Sequence, residues 1–209
     1  MQQELLDAAE RCLEQWPSDA IGIRHIAREA NVNSAMINYY FGGKQGLFVA
    51  LYEALERSFS NSLRDLEDRL TPASRPPIAQ LIGIQIDFYT RHQGLFKLVW
   101  RELQGAAEAA YPGEKTAHSS MVYASVLSLL RRMMQLNLIQ QDINPSYAAY
   151  IIVSLCGHPF VMGAMFEKNS GIPFSDLKDG HWAAYVTRVV EDHLGLSGHS
   201  SRNQKLRSQ

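Results

Sequence analysis

The stretch from Ile23 to Leu47, IRHIAREANVNSAMINYYFGGKQGL, decides how this chain is read. Ile23, Ile26, Ala27 and Ala30 recur at helical spacing and mark a short helix that Asn31 closes. Asn tolerates the left-handed backbone of a tight turn, so Asn31-Val32-Asn33 reads as a turn between two helices. A further short helix is expected from about Ser34 to Tyr40, with Asn33 as its N-cap. Gly42-Gly43 stops it where φ must turn positive. Ile26, Ala27, Ala30, Val32, Ile37 and Phe41 point inward as a small core, and the two alanines let the helices approach closely. Two short helices joined this way form the helix-turn-helix pattern, whose second helix lies in the DNA major groove. Its outward face carries Ser34, Ala35, Met36, Asn38, Tyr39 and Tyr40. Hydroxyl, amide and phenol groups suit phosphates and base edges, and Asn can pair bidentately with adenine. Lys44 opens the next helix, where a phosphate can meet both the ammonium and the free N–H groups of the helix start.

Outward from this segment the pattern stays helical. Leu5, Ala9, Cys12, Leu13 and Trp16 form one face of a first helix that Pro17-Ser18 ends. After Lys44, the stripe Leu47, Leu51, Leu55, Phe59, Leu63, Leu66 and Leu70 predicts one long helix up to Thr71-Pro72. The Pro-rich run 71–77 separates it from helices expected over Ile78 to Arg91 and Leu95 to Leu103. The pattern then weakens to a loop around Ala106 to Gly113. Another helix is expected from Thr116 to Leu136, with Val122, Val126, Leu129, Leu130 and Met133 on one face. Asn144-Pro145 is a strong helix start, and that helix is expected to run to Glu167 with a kink at Pro159. Ser175 is expected to cap a last helix over 176–194, with the face Trp182, Val186, Val189, Val190 and His193 and with Gly195 just past its end. No strand pattern competes.

Composition limits the function. Apolar residues at 46% and charged residues at 20% exclude a mainly disordered chain. A net charge of −1 excludes attraction to nucleic acid by bulk charge. Residues 1–53 hold Arg11, Arg24, Arg28 and Lys44 against Glu4, Asp7, Glu10, Glu14, Asp19, Glu29 and Glu53, a net of −3. Any DNA affinity therefore requires cations sorted onto one face. Cys12 and Cys156 are too few for a disulfide framework or a zinc cluster, which fits a reducing cytoplasm. The polar, acidic start reads as no secretory signal. Pro145 to Phe166 carries no formal charge and could span a bilayer, but Gly157-His158-Pro159 interrupts it, so no membrane is expected and the segment reads as a buried helix.

The residues Arg24-x-Ile26-Ala27-x-x-Ala30-x-Val32, followed by Tyr39-Tyr40-Phe41-Gly42-Gly43-Lys44-x-x-Leu47, resemble the DNA-binding domain of the TetR/AcrR family of bacterial transcriptional regulators. The resemblance covers roughly the first quarter of the chain. It implies an all-α fold: a three-helix helix-turn-helix domain over 1–50, a larger ligand-binding and dimerisation domain of about nine helices over 51–196, and a disordered tail over 197–209. It also implies that Arg24, Asn33, Ser34, Ala35, Met36, Asn38, Tyr39, Tyr40 and Lys44 contact DNA. Ser34, Met36 and Asn38 would face bases, while Tyr39, Tyr40 and Lys44 hold the backbone. The expected function is a dimeric, ligand-responsive repressor on a near-palindromic operator, released by a small apolar or aromatic inducer. The homodimer would form through helices 145–167 and 176–194, with the helix from Lys44 as the lever between pocket and reading head. Four features depart from the family pattern. Gly22 stands where Ser or Thr usually caps, Asn31 replaces the turn glycine, Asn38 replaces a commoner Tyr, and a basic arm ahead of the first helix is missing.

Phe88, Phe96, Trp100, Met121, Tyr123 and Met133 are the expected pocket-lining residues, with Asp87, His92, Glu102 and His118 as polar candidates. Each aromatic or Met residue alone reads more readily as core, and each polar one as a surface or satisfied group; the resemblance makes the set a pocket. His158 reads as a hydrogen-bonded core histidine. A helical-bundle metalloenzyme would need Glu-x-x-His ligands, and none of the seven histidines follows a Glu by three. Hydrolase, P-loop and dinucleotide motifs are also missing, so no catalytic residue, metal or cofactor is expected. The remaining alternative is an interaction protein that has lost DNA binding.

Overall fold

A computed structural model describes residues 1–16, 20–96, 98 and 120–196. The described helices are α1 (Gln2–Gln15), α2 (Ile23–Glu29), α3 (Ala35–Phe41), α4 (Lys44–Asp68), α5 (Ile78–Arg91), α6 (Ser120–Gln135), α7 (Pro145–Met162), α8 (Ala164–Ser170) and α9 (His181–His193). A 3-10 turn spans Phe174–Leu177. The chain is all-α, with no strand among the described residues. Trp100, Glu102, His118, the 106–113 loop and the 197–209 tail lie outside the described residues, as do the ends expected at Pro17-Ser18, Leu103 and Thr116. The chain forms two compact units. One comprises Met1–Ser58 and Arg91–Ala117; the other comprises Phe59–Thr90 and His118–Gln209.

In the first unit, α1 buries Leu5, Leu6, Ala8, Ala9, Cys12 and Leu13, which recur at helical spacing. Ile21, Ile26, Ile37 and Leu47 are at most 1% exposed and complete the core of the three short helices. Burial of each such aliphatic side chain contributes about 1.5–3 kcal/mol relative to exposure. Ala30, Val32 and Phe41 are half-buried. Beyond the short helices, the Tyr52 hydroxyl donates to the buried Glu56 carboxylate at 2.8 Å, and the Tyr52 ring meets Phe96 edge-on.

The second unit is built around α5, whose Ile78, Leu81, Ile82, Gln85, Ile86, Phe88 and Tyr89 are buried. Phe88 packs on Phe59 at 4.9 Å between ring centroids. Tyr89 stacks on Phe160, and a Cβ at Gly157 would lie 2.8 Å from the Tyr89 ring, so the α5–α7 approach requires glycine there. The hydroxyls of Ser60 and Ser125 meet at 2.9 Å, and Ser128 donates to Glu67 at 3.0 Å, joining α4 to α6. Val122, Val126, Leu129, Leu130 and Met133 are all buried, as their spacing predicts.

The α7 region departs from expectation in three places. Asn144 does cap it, accepting from the N–H groups of Ser146 and Tyr147, with Pro145 in the first turn. However, the helix does not reach Glu167. It passes through Pro159, ends at Met162, and Gly163 at φ 51°, ψ −125° separates it from α8. Pro159 lacks an N–H for the Leu155 carbonyl, and the Trp182 indole N–H donates to that carbonyl instead, at 3.2 Å. Nor does Ser175 cap the last helix. Its segment forms the separate 3-10 turn, and α9 starts after Gly180, whose φ of 92° breaks the helical path. The helices expected over 145–167 and 176–194 thus span 145–162 and 181–193. Finally, His158 is exposed, so it is not a core histidine. Burial pushes the Cys156 thiol pKa up, leaving it a small protonated apolar group.

Trp182→Phe keeps most of the packing but removes the donor to the Leu155 carbonyl. Equilibrium urea unfolding is expected to show a loss of about 1–2 kcal/mol. An unchanged midpoint would show that this bond does not compensate Pro159.

Candidate nucleic-acid interface

The short helices are held by their ends. Asn31 has φ 54°, the Val32 N–H donates to the Ala27 carbonyl at 2.9 Å, and the Asn31 N–H donates to the Arg28 carbonyl at 3.1 Å. These two bonds are the Schellman closure, here built on Asn in place of Gly. Ser34 already has helical dihedrals, and Asn33 Oδ1 accepts from the Ala35 N–H at 2.8 Å. Asn33 therefore supplies the cap for α3, as its position predicts. Gly42 closes α3 at φ 71°, and Lys44 begins α4 directly afterwards.

A backbone contact fixes α4 against α3. A Cβ at Gly46 would lie 1.9 Å from the Phe41 carbonyl oxygen, so only glycine allows this approach. The first turn of α4 consequently starts beside the end of α3. Its leading N–H groups have no intrahelical acceptor, which makes it an anion-facing terminus. The Lys44 ammonium lies 5.7 Å from the Phe48 ring centroid, which anchors its stem near that terminus.

The exposed face of α3 is narrower than its sequence predicts. Ala35, Asn38 and Tyr39 are exposed at one helical spacing, with Tyr39 77% exposed. Ser34, Met36 and Tyr40 flank this face and are half-buried. Tyr39 and Tyr40 pack edge-on at 4.9 Å, which holds both phenols. Asn38 Oδ1 lies 3.8 Å from where a Cβ of Gly43 would sit, so its amide turns toward the α3–α4 junction. Asn33 and Arg24 are exposed, and Lys44 is half-buried. Arg28 is also exposed one turn beyond Arg24; the spacing of four on α2 was the signal for it.

Charge is sorted within this unit. The segment 23–44 holds Arg24, Arg28 and Lys44 against Glu29 alone, and Glu29 accepts from Arg11 at 2.7 Å. On α1, Glu4 pairs with the terminal ammonium, Asp7 accepts from Gln3, and Glu10 pairs with His92. Four of the seven carboxylates that make residues 1–53 acidic lie on α1, and α3 holds none.

The expected ligand residues are dispersed between the two units. Phe96 belongs to the first, while Phe88, Met121, Tyr123 and Met133 belong to the second. Phe88 and Met133 are buried, Met121 and Tyr123 are half-buried, and the Tyr123 hydroxyl donates to the Ser146 carbonyl at 3.4 Å. Asp87 is exposed. The buried polar side chain of α5 is instead Gln85, which sequence reading missed. Its signal was an amide at a core position of an apolar helix. Asp176, Asp179 and His181 bring possible metal-ligand atoms within 4.8 Å of one another, but two of the three are exposed and Asp179 accepts from the His181 backbone N–H.

Comparison with known proteins places this geometry. Residues 5–51 match the family described as bacterial regulatory proteins, tetR family. The probable HTH-type transcriptional regulator YttP of Bacillus subtilis is 28% identical over 101 residues, 48% of this chain and 49% of that protein. The HTH-type transcriptional regulator BetI of Brucella anthropi is 37% identical over 82 residues, 39% of this chain and 42% of that protein. The matched part thus spans about half the length of either relative. Solved structures share the fold over most of the chain. The transcriptional regulator FadR of Bacillus subtilis, in complex with stearoyl-CoA, aligns with TM-score 0.65 at 14% identity, covering 91% of this chain and 97% of that one. SmeT, the repressor of the Stenotrophomonas maltophilia multidrug efflux pump SmeDEF, aligns with TM-score 0.62 at 19% identity, covering 92% and 89%.

Gly46→Ala is expected to cost about 1–3 kcal/mol or more, because backbone must move to admit the Cβ. Gly22→Ser meets nothing within 4 Å in an extended conformation, and is expected to add a few tenths of a kcal/mol by capping α2. Thermal unfolding of the two variants checks the opposite signs.

Proposed function

We propose that this chain, whose residues 5–51 match the family described as bacterial regulatory proteins, tetR family, is a ligand-responsive transcriptional regulator of that family. It acts as a repressor, binding a near-palindromic operator as a homodimer in the cytoplasm. The observation that carries this reading is the exposed α3 face of Ala35, Asn38 and Tyr39, set between the Asn31 turn and the start of α4 at Lys44. An aromatic side chain as exposed as Tyr39 contributes little to folding and suits a phosphate or base edge. Arg24, Arg28 and Lys44 supply local positive charge where the whole chain has none to spare. In this reading residues 1–50 are the reading head and 51–196 the regulatory body. Arg24, Asn33, Ser34, Ala35, Met36, Asn38, Tyr39, Tyr40 and Lys44 form the DNA contact set.

Dimerisation is supported by an apolar stripe on α7 and α9. Tyr147 and Tyr150 are 71% and 69% exposed, Ile151 37%, Tyr185 53% and Val189 37%. Tyr147, Ile151, Ser154 and His158 follow one helical line, and α9 packs beside α7 through Trp182. A second copy covering this face would form a four-helix interface with two-fold symmetry, which a palindromic operator mirrors. Two recognition helices would then sit about 34–36 Å apart, one DNA turn, or a multiple of it. An apolar or aromatic inducer that binds a conformer with different spacing weakens DNA binding by its difference in affinity. Phe88, Phe96, Trp100, Met121, Tyr123 and Met133 are the proposed lining. The proposed coupling element is α4, which carries Lys44 in its first turn and Phe59 beside Phe88 further along. Among the described residues no helix is long and apolar enough to cross a membrane.

Selection of bound duplexes from random DNA is expected to return a near-palindrome. Lys44→Ala should lower the slope of log affinity against log salt by about one. Tyr39→Ala should weaken operator binding about tenfold or more while leaving folding intact. Retention of full affinity by both variants would remove α3 as the reading element. Separately, Tyr147→Glu with Tyr150→Glu is expected to give monomers in sedimentation and to abolish operator binding; a dimer that persists places the interface elsewhere.

A further inference from the structure

Among the described residues two polar or charged side chains lie in the buried core, Glu56 and Gln85. Glu56 accepts from Tyr52. Gln85 is 0% exposed, and neither its amide nitrogen nor its amide oxygen has a hydrogen-bond partner among the described residues. Burying an amide unpaired is costly, whereas Leu or Met at this position would occupy similar volume without that cost. An unpaired buried amide in an otherwise apolar face therefore calls for a partner from outside the chain.

The surroundings define that partner. Gln85 lies on α5 one turn after Leu81 and Ile82 and one turn before Phe88 and Tyr89, all buried. The rings on that side are themselves packed, Phe88 on Phe59 and Tyr89 on Phe160. No ionised side chain is buried among the described residues of this unit, so a charged group brought to Gln85 would have no buried counter-charge. A glutamine side chain offers a carbonyl oxygen and an N–H side by side in one plane. Its complement is a neutral group with the same pair in reverse, a lactam or an amide edge.

We infer that Gln85 is the polar anchor of the effector site, and that the effector is an uncharged, largely apolar molecule carrying an amide or lactam edge. This inference rests on the reading of the chain as an effector-released regulator, and adds the chemical class of the effector and the residue that selects it. Effector binding satisfies both halves of the Gln85 amide at once, so the chain has a built-in preference for its occupied form. The same amide discriminates against a hydrocarbon of equal shape, which leaves it unpaired, and against a carboxylate, which brings an uncompensated charge.

The test uses the full-length protein with three matched probes: 2-quinolone as the lactam, naphthalene as the hydrocarbon and 1-naphthoate as the anion. Calorimetry and operator release are measured for the wild type, Gln85→Leu and Gln85→Met. The wild type is expected to bind 2-quinolone at least about tenfold more tightly than either other probe and to release operator DNA with it. Both variants should lose that preference, keep operator affinity, and unfold at an equal or higher temperature without any probe. A lower unfolding temperature in both variants would show that Gln85 holds the core through water and would overturn the inference. Equal affinity of wild type and variants for 2-quinolone, or no binding of it by the wild type, would overturn it too. Failure of the wild type to bind operator DNA would instead remove the regulator reading itself, so the two failures are separable.

Discussion

Every α-helix ends with carbonyls that have no partner inside it, and this chain depends on how it satisfies them. At the ends of α2, α6 and α9 the same solution recurs. Asn31, Asn137 and Gly195 take positive φ, and the residue after each donates back to a carbonyl in the last turn. The first of these closures directs α3 away from α2 and so determines which side chains face outward. A residue that resists positive φ at position 31 would move the exposed face of Ala35, Asn38 and Tyr39 without touching any of them. At the next junction the Gly46 approach to the Phe41 carbonyl places the α4 terminus and Lys44 beside that face. The exposed face of α3 is thus a consequence of backbone closure, with the side chains carried into place by it.

Electrostatics follows the same division. A chain with a net charge of −1 and an acidic first quarter is a poor polyanion binder on average. Averages do not act at an interface; local arrangement does, because screening limits exposed charges to roughly 8–10 Å. Glu4, Asp7 and Glu10 on α1 are paired, and Glu29 is taken by Arg11, which leaves the helix-turn-helix segment with an excess of cations.

The short helices were legible because their signals are local: apolar spacing, Asn at the turn, Asn33 as cap, paired glycines at the stop. The same holds for Asn144-Pro145 and for the α6 core face. Three features were less legible. Pro159 lies inside α7, and how it is accommodated was not legible, because Trp182 from a distant segment supplies a donor to the carbonyl that proline leaves unpaired. The actual break falls at Gly163, where the backbone takes a positive φ. His158 seemed buried because its neighbours are apolar, but it lies on the exposed line of α7. Gln85 was passed over for Asp87 because charge is more conspicuous in a sequence than burial, and burial is what makes an amide matter.

By itself, the sequence determined the all-helical class, the turn chemistry at Asn31 and Gly42, and the match of residues 5–51 to a family of bacterial regulatory proteins. Each rests on propensities and spacings confined to a few neighbouring residues, so no knowledge of distant contacts is needed. Tertiary structure alone decided which of the α3 side chains are exposed, how Pro159 is accommodated, where the α7 and α9 boundaries fall, and that one amide on α5 is buried without a partner among the described residues. Those properties depend on what packs against a residue from elsewhere in the chain. Burial and hydrogen-bond satisfaction are properties of that surrounding, and a linear pattern does not contain it.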